Sequence, residues 1–113
     1  MAIYFSFGIA PSMFPSTCTI LRESITPEYV RGLPPGALIP ALNPSHKATI
    51  AAMRERYGID VPIPEKAPQV LLHTGDAVIV MGVVGLPRLQ DRHEYTREEV
   101  ENARFEFSLF AVM

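Results

Sequence analysis

Cysteine is almost absent from this chain of 113 residues. Cys18 stands alone, so no internal disulfide can form and cysteines cannot build a zinc cluster. It reads as a small buried thiol. A basic surplus is missing as well. Ten Lys and Arg face twelve Asp and Glu, a formal net charge of −2 with a pI near 5.9. That balance excludes a broad electrostatic grip on DNA or RNA duplexes, which needs a basic face. A small anion held by a few local donors stays open. The histidines, His46, His73 and His93, never fall at a metal-ligand spacing such as i, i+4, so no metal and no cofactor is expected. There is no internal repeat and no low-complexity tract. The apolar opening, "MAIYFSFGIA", lacks a basic n-region and is too short to span a bilayer. It reads as a first buried strand of a soluble, intracellular protein.

What is present favours a packed core. Hydrophobic residues make up 48% of the chain and charged residues 19%, which argues against disorder. The length suits a single domain over residues 1–113, with a dimer as a plausible supplement to a modest core. "IYFSFGIA" predicts a strand and "TCTILRES" a second extended piece. "TPEYVRGL" predicts a short helix capped by Thr26, with Pro27 in its first position, which "GLPPGALIP" must break. "ALNPSHKATIAAMRERYG" predicts a second helix capped by Asn43 or Ser45. Ile50, Met53 and Tyr57 share one face, and Gly58 supplies the stop. "DVPIPEKAP" reads as an extended surface connector. "QVLLHTGDAVIVMGVVG" predicts a hairpin of two strands around "HTGD", the second fully buried. Thr96 and Glu99 form a capping box for a third helix, and "RFEFSLFAV" is a closing strand with Phe105, Phe107 and Leu109 on one face. The fold class is α+β, a single mixed β-sheet of about five strands with about three helices packed on it.

Three stretches carry candidate chemistry. His46 lies in the first turn of the second helix. A helix N-terminus offers unpaired N–H groups and partial positive charge, and so attracts anions such as phosphate. A phosphate bound there would favour the protonated imidazole, which can then act as a general acid. The competing reading is that His46 only accompanies the cap. "GLPRLQDRHEYT" carries Arg88, Asp91, Arg92, His93 and Glu94. Arg88 can grip a phosphate through its planar fork, and Asp91 can orient Arg88 or a histidine. A merely solvated polar loop is the alternative. "FGIAPSMFPS" follows the first strand, with Ser12 and Ser16 as hydroxyl donors, Ser6 just before it, and Gly8 allowing close approach to the backbone.

Taken in order, "TPEYVRGL", "NPSHKATIAAMRERYGIDVP", "TGDAVIV", "LPRLQDRHEYTREEV" and "FEFSLF" resemble the viral type III anti-CRISPR ring nucleases. The likeness spans about residues 26 to 111. His46 and Thr49 match the family's His-x-x-Thr at a helix start, and Arg88-Leu89 with Thr96, Glu98 and Glu99 match its Arg-Leu and T-x-E-E elements. The resemblance implies a homodimer that binds cyclic tetra-adenylate across its two-fold axis and cuts it without metal in a host cytoplasm. It makes His46 the general acid, Arg88 the phosphate holder and Asp91 the assisting carboxylate. Gly8, Ser12, Ser45, Thr49, Lys66 and Leu89 become ligand-binding candidates. Ser45 stands where the family usually has glycine, Asp91 where it has glutamate, and Lys66 is the nearest cation after the "VP" segment. The alternatives are a module that sequesters a cyclic nucleotide without cutting it, and a small dimeric interaction protein.

Overall fold

The computed structural model describes residues 1–34, 36–85 and 95–113. Five strands form one mixed sheet in the order β2-β5-β4-β1-β3. They are β1 (Ile3–Ser6), β2 (Ile20–Ile25), β3 (Leu38–Pro40), β4 (Ala77–Val84) and β5 (Arg104–Val112). β1 runs parallel to both β3 and β4, whereas β5 runs antiparallel to β4 and β2. The helices are α1 (Pro27–Arg31), α2 (Lys47–Tyr57) and α3 (Arg97–Glu101). The α+β class with one mixed sheet is therefore observed.

Period-2 alternation divides the core between the two faces of the sheet. On one face Phe5, Ile79, Met81, Phe105 and Phe107 pack with Val30 of α1, Ile50 and Met53 of α2, and Val100 of α3. On the other, Val78, Val80 and Val112 pack with Val70 and Leu72, with Tyr4, Met13, Phe14 and Phe110 partly buried around them. Because both faces are covered, the first five residues of β4 are all buried, as its unbroken apolar run predicts. Cys18 is half-buried against the second cluster rather than fully enclosed.

Local capping follows the sequence closely. Thr26 accepts from the Tyr29 amide at 3.1 Å. Thr96 and Glu99 make both bonds of their capping box, at 3.1 and 2.9 Å. Gly58 closes α2 at φ 64°, and its N–H donates to the Arg54 carbonyl. Tyr57 sets its ring edge-on against Phe107, 5.0 Å between centroids. Arg56 donates to the Val100 and Ala103 carbonyls, so the end of α3 is held to α2.

Three expectations are corrected. The cap of α2 is His46, not Asn43 or Ser45. Asn43 is used one turn earlier: its Oδ1 accepts from the Ser45 amide at 2.9 Å and its carbonyl from the His46 amide at 3.1 Å. Pro44 suits the second position of such a turn. The hairpin before β4 does not form. Both edges of β4 are taken, one by β1 and the other by β5, so residues 70–72 have no edge to join. They cross the second face instead, where the Leu72 amide donates to the Met13 carbonyl. The "HTGD" turn itself is real, with Gly75 at φ 94° and the Asp76 amide donating to the His73 carbonyl at 2.8 Å. The remaining strand, β3, lies within the stretch read only as a breaker. Its Pro40 is tolerated because β3 is the sheet edge.

Asp76 also joins residues 2 and 112. Its carboxylate accepts from the Ala2 and His73 amides, both at 3.0 Å, and its carbonyl accepts from the Val112 amide at 2.9 Å. Those amide bonds hold the Asp76 carboxyl below its ordinary range.

Candidate functional site

β3, β1 and β4 are parallel, so their carboxyl ends open on the same side. Ligands of sheets built this way bind in the crevice beyond those ends. A cavity of about 400 Å³ lies there. Phe7 to Ala10 enter it on leaving β1, Ala41 on leaving β3, and Met81 and Val83 from the second half of β4. Phe105, Tyr95 and Met13 extend its apolar wall, while Asn43, His46 and Thr49 bring polar groups from the start of α2. One side of the cavity therefore suits a flat apolar group and the other an anion.

His46 is half-buried on the cavity wall. Its carbonyl accepts the first backbone bond of α2, from the Ile50 amide at 3.0 Å, but its side chain does not fold back to cap the helix. The ring faces Phe7, with centroids 6.3 Å apart and planes inclined by 38°. Thr49, one turn on, lines the same cavity. Gly8 lines it too, although a Cβ there would meet nothing within 4 Å, so glycine is not required for space. Ser6 is buried, and its hydroxyl is spent on its own loop: it donates to the Gly8 carbonyl at 2.8 Å and accepts from the Gly8 amide at 3.3 Å.

Other sequence candidates fall elsewhere. Ser12 and Ser16 are exposed, Ser45 is engaged with Asn43, and Lys66 is exposed beside Ala67; only Ala67 of this group lines the cavity. Arg88, Leu89 and Asp91 lie outside the described residues, as does His93. His73 is solvated, with 83% of its side chain exposed. Among the described residues no group of three or more His, Cys, Asp or Glu is assembled, and no helix is long and apolar enough to cross a membrane.

The arrangement of sheet and helices has a solved counterpart. It is similar to B116 of Sulfolobus turreted icosahedral virus, with a TM-score of 0.68, 16% identity, and coverage of 98% of this chain and 99% of that one. The chain has the B116 fold. At that identity the likeness concerns the path of the backbone, not the side chains that meet a ligand. No family model and no curated protein matches the sequence. His46, Thr49 and Gly8 were legible in the sequence, whereas most of the apolar wall of the crevice was not. Phe7 was legible, since it extends the Ile3, Phe5 alternation of β1 by one step. Tyr95 and Phe105 carried no such signal, because only the folded sheet brings them to this end.

Proposed function

We propose that this protein is a metal-independent ring nuclease, binding a cyclic oligoadenylate, foremost cyclic tetra-adenylate, and cutting it to linear products that end in a 2',3'-cyclic phosphate. The observation that carries the reading is His46 at the start of α2, on the wall of a cavity at the carboxyl ends of three parallel strands. The helix start favours a phosphate. The apolar wall beside it favours an adenine ring, and a nucleotide needs both at once. The B116-like fold adds a viral setting in which destroying a type III CRISPR messenger has a use.

In this reaction the ribose 2'-oxygen bonds to phosphorus and releases its proton to solvent. The P–O5' bond breaks, and the departing 5'-oxygen takes a proton from the His46 imidazolium. Imidazole then regains a proton from solvent, so atoms and charge balance. Alignment of the attacking and leaving oxygens supplies much of the rate, and the proton donor the rest. Arg88 is assigned to the phosphate and Asp91 to its support by family resemblance. A homodimer would place two such sites against opposite phosphodiesters of one ring.

Labelled cyclic tri-, tetra- and hexa-adenylate, incubated with the protein in excess chelator, test this directly. Linear products with 2',3'-cyclic phosphate ends are expected from the tetra-adenylate. A ring retained but uncut would make the protein a sequestering module, and no retention of any ring would remove both readings.

A further inference from the structure

A general acid needs its ring held in one orientation, and in most sites a carboxylate or carbonyl does this by hydrogen bonding to the second ring nitrogen. The His46 side chain makes no capping hydrogen bond to α2. Its ring lies against Phe7. Phe7 is itself well anchored. It lies against Phe5, edge to face, with centroids 6.3 Å apart, and Phe5 is fully enclosed in the core. The backbone on either side of Phe7 is clasped by the buried Ser6 hydroxyl, which bonds both the carbonyl and the amide of Gly8. A line of contacts thus runs from core strand β1 through Phe5 and Phe7 to the imidazole.

We propose that Phe7 is a positioning residue of His46, holding the imidazole by aromatic contact. This rests on the reading of His46 as proton donor. Contact with the Phe7 ring restricts the tilt of the imidazole. An aromatic pair of this kind is directional, which an aliphatic side chain of similar volume is not.

Phe7→Leu keeps the bulk and removes the ring; Phe7→Tyr keeps the ring. With cyclic tetra-adenylate as substrate, Phe7→Leu should lower kcat by about a hundredfold, the scale of a small misalignment, and by a larger factor than it raises KM, since Phe7 also lines the cavity. Phe7→Tyr should restore most of it. In parallel, the His46 Cε1–H proton resonance should move in Phe7→Leu, because the ring current of Phe7 is lost, and return toward the wild-type position in Phe7→Tyr. An unchanged kcat in a folded Phe7→Leu, while His46→Ala is dead, would overturn the proposal and leave the nuclease reading standing. If the wild-type protein cuts no ring, the nuclease reading fails, and the resonance decides the positioning role: an unmoved Cε1–H signal in Phe7→Leu refutes it.

Discussion

Replacing His46 by alanine removes the proposed proton donor but leaves the amides of the α2 start and the apolar wall in place. Cleavage of cyclic tetra-adenylate should fall by about 10²- to 10⁴-fold, the usual contribution of a positioned acid, while ring binding measured by gel shift persists. Arg88→Ala should instead weaken both binding and turnover, since a guanidinium holds phosphate in the ground state and in the transition state. Equal turnover in Arg88→Ala and wild type would remove the phosphate from that side chain. At this scale the sequence pointed to His46 and Thr49 on the cavity wall, whereas Ser12, Ser45 and Lys66 fall elsewhere. His46 stands out because a histidine after "NPS" at a helix start is visible in one stretch. Its ring partner Phe7 is 39 positions earlier, and no local pattern joins them.

The elements show why caps were readable and strand partners were not. Thr26, Thr96 with Glu99, and Gly58 satisfy backbone groups within a few residues of themselves, so each signal is complete in the sequence. The partner of a strand is decided elsewhere. β4 takes β1 on one side and β5 on the other, and that choice cancels the hairpin that "HTGD" advertises. Glycine offers a sharp test of element-level reasoning. Gly58 holds φ at 64°, and a Cβ added there would sit at an ordinary 3.5 Å from Arg31 Cδ. The cost of Gly58→Ala is therefore conformational, about 1 kcal/mol, and should lower Tm by several degrees in a thermal melt. Gly8→Ala, in open space and without positive φ, should leave Tm unchanged. Equal melting of Gly58→Ala and wild type would mean that α2 does not depend on its left-handed stop.

Across the whole molecule, acid should act through Asp76. The amides of Ala2 and His73 hold its carboxyl below the ordinary value of 3.8. A carboxyl lowered on folding adds stability above its unfolded value, and that stability is lost as pH falls through the folded one. Tm should thus be flat near neutrality and drop as pH is taken below 3.8. Asp76→Asn should melt lower at pH 7 and show a shallower acid limb; an identical acid limb would show that other carboxylates govern it. Asp76 bonds residues 2 and 112 at the amino end of β4, whereas the cavity lies past the carboxyl ends of β1 and β3. A dye or surface linker joined at residue 2 or 112 would therefore emerge at the end of the strands opposite the crevice. Attached through residues 2 and 112, the folded unit would keep its crevice facing the solution, an orientation suited to watching single ligands arrive and leave.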